Sequence, residues 1–91
     1  MKYDEDLYAF LNKYVKWAKI DWCVLVHNTN TNKMYAYDME DHCERSISYI
    51  ISLMLENGML NECFTQGELE MLLYSVPKRF KKEIEYYVTK M

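Results

Sequence analysis

The chain has 91 residues, 51% of them apolar and 27% charged, with a net charge of −3, which is the size and balance of a single globular domain spanning residues 1–91. The apolar share is too high for a disordered chain, and two glycines with one proline are too few for a loop-rich or repetitive one. The longest apolar run, Ile47 to Leu55, is interrupted by Ser48 and Ser52 and falls short of the roughly 20 residues that span a bilayer, so no membrane association is expected.

The first six residues carry Asp4, Glu5 and Asp6 where a secretory signal has an apolar segment, so no export is expected and the cytoplasm is the default location. In a reducing compartment the three cysteines, Cys23, Cys43 and Cys63, are expected as free thiols, most of them acting as small core hydrophobes. Abundant Phe, Tyr, Met, Ile, Asn and Lys beside scarce Gly, Ala, Arg and Pro point to AT-rich codons, as in a low-GC bacterium or its phages.

From Asp4 to Ile20 the apolar positions Leu7, Phe10, Leu11, Tyr14, Trp17 and Ala18 recur at three and four, which predicts a helix with acids at its positive end. Tyr8 and Val15 widen the stripe to about half the circumference, so the helix should be covered on two sides. Trp22 to Asn28 and Lys33 to Met39 read as two strands joined by an Asn/Thr loop, a β-hairpin. The first strand is apolar on both faces, so helices or another sheet should cover it. A lone hairpin is marginal in water, hence helices must pack on it or a second molecule must extend one of its two open edges.

Asp41 with Glu44 has the spacing of a capping box and predicts the next helix, ending at Asn57-Gly58 with Cys43, Ile47, Ile50, Ile51, Met54 and Leu55 as its buried stripe. Thr65 with Glu68 repeats that spacing, and Phe64 with Leu69 adds a hydrophobic staple; Leu69, Leu72, Leu73 and Val76 form the buried face. Pro77 suits the first turn of a last helix that buries Phe80, Ile84, Tyr87, Val88 and Met91. The expected fold is α+β and helix-dominated, ordered α-β-β-α-α-α around one antiparallel hairpin.

Neither a metal site nor a catalytic one emerges. Cys23 with His27 on one strand, and His42-Cys43 at a helix start, are the only Cys/His groupings, and no Cys-x-x-Cys or His-x-x-x-His pair exists. A thiol-imidazole pair from the same residues lacks a glycine-rich oxyanion turn, and Gly58 and Gly67 are accounted for by a helix end and a helix start. The acids Asp38, Glu40, Asp41 and Glu44 read more simply as a dipole-favoured helix start than as a general acid/base pair. No cofactor and no enzymatic activity are expected.

Charge and tyrosine distribution point instead to contact with a partner. Residues 1–37 sum to +1, residues 38–70 to −7 and residues 71–91 to +3. Lys78, Arg79, Lys82 and Tyr86 share the polar side of the last helix, where the cations oppose the dipole; they suit nucleic-acid phosphates or an acidic protein, or form a solvated face balanced by Glu83, Glu85 and the acidic middle. Tyr49 and Leu53, with His42, fall on the side of the middle helix away from its Ile stripe, as a helix between two layers or a protein-binding strip would place them. Nine tyrosines exceed what a core of this size needs.

These features lead to a non-enzymatic protein-interaction module, in its narrower form a phage or mobile-element inhibitor of a host enzyme, of the anti-CRISPR kind. Its acidic segment (Asp38, Glu40, Asp41, Glu44) would compete with nucleic acid for a basic cleft. The expected partner is a host protein. Homodimerisation through the hairpin edge or the first helix, and nucleic-acid binding by the basic last helix, are the alternatives.

Overall fold

The computed structural model describes residues 2–90. Nothing is described of the side chains of Lys2, Tyr3, Asp4 and Lys90, so the expectations placed on Tyr3, Asp4 and the terminal Met91 lie outside the described residues. The elements run α1 (Lys2–Trp17), β1 (Cys23–Asn28), β2 (Lys33–Asp38), β3 (Cys43–Ser46), α2 (Ile47–Asn57), α3 (Leu60–Cys63), α4 (Gln66–Ser75), a 3-10 turn (Lys78–Phe80) and α5 (Lys81–Lys90). The fold is α+β and helix-dominated, with three strands in place of the expected hairpin.

Helix α1 forms over most of the expected span but ends at Trp17, short of Ile20, through a Schellman closure. The Lys19 amide donates to Lys16 O and the Ile20 amide to Val15 O, with Lys19 in the left-handed region at φ 57°. Its broad stripe is used inside the chain: Leu7, Leu11, Tyr14 and Val15 are buried between β1 and α2 on one side and α4 on the other.

The sheet has the order β1-β2-β3, antiparallel throughout. Its two hairpin loops share one construction. The Asn28 carboxamide oxygen accepts from the amides of Asn30 and Thr31, and Asn32 is left-handed at φ 55°; the Asp38 carboxylate accepts from the amides of Glu40 and Asp41, and His42 is left-handed at φ 56°. In each, an Asx side chain folds the backbone back and a positive-φ residue re-aims it into the next strand.

The helix expected from Asp41 therefore does not start there. Asp41 and His42 lie in the second loop, Cys43 and Glu44 lie in β3, and α2 begins only at Ile47, capped by Ser46, whose hydroxyl accepts from the Tyr49 amide. The Asp41/Glu44 spacing matches a capping box, but pairing of Cys43–Ser46 with β2 satisfies those backbone groups first. Helix α2 stops at Gly58, with φ 68°, and a side chain there would also meet the Tyr87 hydroxyl. The short α3 had no counterpart in the sequence reading.

Helix α4 carries the expected capping box, Thr65 with Glu68, and buries Phe64 and Leu69 beside it. Pro77 does not open α5 directly; a 3-10 turn intervenes, so Lys78 and Arg79 precede the helix proper. The core comprises Leu7, Leu11, Tyr14, Ile50, Ile51, Met54, Leu60, Leu69, Leu72 and Ile84, among others, with Leu25 and Ala36 from the sheet.

Helices α1 and α2 pack on the sheet from one side, α4 packs on α1, and α5 on α4. The pleat places Cys23, Leu25, Ala36 and Asp38 toward this body, where all four are buried. The opposite face was expected to be covered and is not: Val24 keeps 48% of its surface exposed. The elements on both ends of the sheet, α1 and α2, pack on the Leu25/Ala36 face, and the four-residue loops between strands add no element to cover the other. Because a non-glycine residue pays a steric penalty in the left-handed region, Lys19→Gly should raise stability by about 1 kcal/mol in urea unfolding, with no change in slope.

Candidate functional site

Three groups of residues hold the candidate functional positions: the loop between β2 and β3, the open face of the sheet, and the junction leading into α5. The loop is organised by a buried carboxylate. Asp38 Oδ1 accepts from the amides of Glu40 and Asp41, each at 2.9 Å, and Oδ2 accepts from Arg45 Nε at 3.3 Å. Arg45 Nη2 also donates to Asp41 Oδ2 at 2.6 Å, and its guanidinium lies 5.4 Å from the Tyr49 ring centre.

The Asp41 amide, then the Arg45 guanidinium and the Glu40 amide, hold the Asp38 carboxyl below the usual carboxylate range, although burial pushes the other way. Of the four acids assigned to a partner-facing segment, Asp38 is thus turned inward as the organiser of the loop. Glu40 is exposed, Asp41 is engaged by Arg45, and Glu44 lies on β3 at 3.6 Å from Lys33. The segment that sums to −7 is tempered further where Glu68 meets Lys13 at 2.7 Å.

On the open face, β1 and β2 set Val24 opposite Tyr37 and Val26 opposite Tyr35, and β3 adds Glu44 beside Tyr37. Tyr37 is 38% exposed and Met39, at the margin, 43%. The Lys33 ammonium lies 5.2 Å from the Tyr35 ring centre. This field was missed in the sequence because the first strand reads as apolar on both faces. The signal that finds it is the loop length: four residues between Asn28 and Lys33 fix the register, and the register places two valines against two tyrosines.

Tyr49 and Leu53, grouped with His42 in the sequence reading, do not form one strip. His42 is in the loop, Tyr49 is exposed under Arg45, and Leu53 packs partly against the core. The basic group also divides. Lys82 and Tyr86 project outward from α5 and are exposed, Arg79 lies over the Phe80 ring at 4.7 Å, and Lys78 turns to a cleft beside α4. Tyr86 packs edge-on against Tyr87, which is partly buried on the core.

The cysteine and histidine groupings come apart as well. Cys23 and His27 lie on one strand face but about 13 Å apart along it; His27 Nε2 is 3.2 Å from Asn32 Oδ1, and its ring rests near Tyr8. Burial, with the Asp38 carboxylate, pushes the Cys23 thiol up, and burial does the same to Cys63, so both stay protonated at neutral pH. Cys43, expected at a helix N-terminus, is on a strand instead. Among the described residues no three His, Cys, Asp or Glu side chains converge as metal ligands. No helix among the described residues is long and apolar enough to cross a membrane.

Comparison with known protein families, curated proteins and solved structures finds no match.

The Asp38 clasp has a measurable signature. A carboxylate whose folded pKa lies below its unfolded value stabilises the fold above the unfolded pKa, and that contribution is lost as pH falls through the folded pKa. Asp38→Asn should therefore lower the urea midpoint at neutral pH and flatten its decline on acidification. Glu68, also held low by Lys13 and the Thr65 amide, should leave a residual acid dependence.

Proposed function

We propose that the protein is a non-enzymatic protein-binding module that works through the open face of its sheet. The observation that carries this reading is the contiguous field of Val24, Val26, Tyr35 and Tyr37, of which Val24 and Tyr37 are exposed and Val26 and Tyr35 half-buried, with Glu44 beside it on β3 and the exposed Glu40 and Asp41 in the adjoining loop. Tyrosine offers large contact area at low conformational cost, and apolar centres with charged margins are how protein interfaces are built. The occupant that fits is a host protein presenting an apolar centre and basic groups opposite the three acids.

A second copy of the chain carries the same acids and only Lys33 near this face to meet them, so self-association here is the poorer match. The edge of β1 stays open for it, and on α1 most of the apolar stripe is buried internally while Trp17 keeps 39% of its surface exposed. The narrower form of the proposal, an inhibitor from a phage or mobile element that occupies the basic cleft of a nucleic-acid-handling enzyme, rests on Glu40, Asp41 and Glu44 without Asp38.

The test is affinity capture from host lysate with matched variants. Val24→Ser/Tyr37→Ser and Glu40→Lys/Asp41→Lys/Glu44→Lys should each weaken retention of a stoichiometric protein by about ten-fold or more, while Lys82→Glu/Tyr86→Ala retains it. Retention unchanged by the first two variants, or no stoichiometric protein at low and moderate salt, would overturn the reading, as would light scattering that shows a dimer abolished by Val24→Ser/Tyr37→Ser.

A second reading, nucleic-acid binding, is favoured by one observation: Lys82 and Tyr86 stand four residues apart on α5 and both are exposed, which pairs a cation with an aromatic ring on one helix face. It requires that labelled single-stranded DNA or RNA bind at about 50 mM salt and dissociate steeply as salt rises. A flat titration at that salt eliminates it.

A further inference from the structure

Away from the sheet's open face, a cleft of about 470 Å³ opens where α1, β2, α2 and the α4–α5 junction meet. Its volume lies within the roughly 300–1,000 Å³ typical of small-molecule sites. Leu7, Met34, Ile47 and Val76 supply an apolar floor from four separate parts of the chain, and Tyr74, 78% exposed, forms a wall. Lys78 and Lys81 are the charged groups of the lining. They stand three residues apart across the 3-10 turn, which sets them on one side of the chain. Among the described residues neither has an ion-pair partner; the acids that are paired go to Lys13, Lys33 and Arg45.

We propose that this cleft binds a small amphipathic anion, its aliphatic or aromatic body on Leu7, Met34, Ile47 and Val76 and its anionic head between Lys78 and Lys81. One feature opposes an anion here, because the C-terminal end of α4 also reaches the cleft. That end carries about half a negative charge, and of its last carbonyls Leu72 O accepts from the Val76 amide at 3.0 Å. Two full positive charges outweigh it. The same geometry accounts for cations kept at the start of α5 against the helix dipole: Lys78 and Lys81 turn to the cleft while Lys82 faces outward.

Two fluorescent probes of similar shape test the assignment, 1-anilinonaphthalene-8-sulfonate and its neutral counterpart N-phenyl-1-naphthylamine. The sulfonate should bind saturably, one per chain, and be displaced by decanoate. Lys78→Ala/Lys81→Ala, at surface positions that leave the core intact, should weaken the sulfonate by about five- to thirty-fold and leave the neutral probe within about two-fold. Met34→Trp, which fills the cleft, should abolish both, and Val24→Ser/Tyr37→Ser should change neither. The proposal is overturned if the lysine variant leaves sulfonate affinity unchanged or weakens both probes equally, if binding is lost with the sheet-face variant instead, or if no saturable binding occurs.

Discussion

Both strand-to-strand connections among the described residues are four-residue loops, and the antiparallel order and register of the sheet follow from them. A loop so short returns the chain beside the strand it left and gives no length in which to cross to the other face. The helices before and after the sheet collect on one side. One face of the sheet closes the core with Leu25 and Ala36, and the other keeps Val24 and Tyr37 in contact with water. A sheet face that leaves valine and tyrosine about half exposed forgoes part of the stabilisation that full burial gives, which is on the order of 1.5–3 kcal/mol for a large apolar side chain. A partner that covers the face recovers it.

The second loop is where the chain commits to three strands, and a single carboxylate governs it. Asp38 is buried yet fully engaged, by two backbone amides and the Arg45 guanidinium. An inward carboxylate is costly unless each of its oxygens is satisfied, and here Arg45 arrives from the strand that the loop itself creates. Loop and strand thus stabilise each other: without β3, Arg45 is not positioned, and without Arg45 the carboxylate is buried with one oxygen less well met. Arg45 then reaches outward to Asp41 and Tyr49, tying the loop to the first turn of α2.

Signals that close locally were legible in the sequence. The periodicity of α1, the Thr65/Glu68 capping box and the stop at Gly58 depend on residues a few positions apart; the box and the stop stand where they were expected, and α1 departs only by a few residues at its ends. The Asp41/Glu44 pair has the same local form and misleads, because the choice between helix start and hairpin is settled by pairing with β2 and by a salt bridge spanning seven residues. What the local pattern does hold is the repeated loop design, Asn28 to Asn32 and Asp38 to His42, with an Asx residue at the first position and a left-handed residue at the fifth. The candidate surfaces divided in the same way. Exposure of Lys82 and Tyr86 followed from helical spacing, whereas the valine-tyrosine field and the cleft exist only once distant elements are assembled.

One face of the sheet meets solvent at Val24 and Tyr37, and the other is core. Paramagnetic relaxation by a soluble gadolinium chelate, read on the methyl and ring resonances of a dilute sample, tests it directly. The account predicts strong broadening of Val24 and Tyr37 and little for Leu25, Ala36 and Ile51; protection of Val24 and Tyr37 equal to that of Leu25 and Ala36 would contradict it.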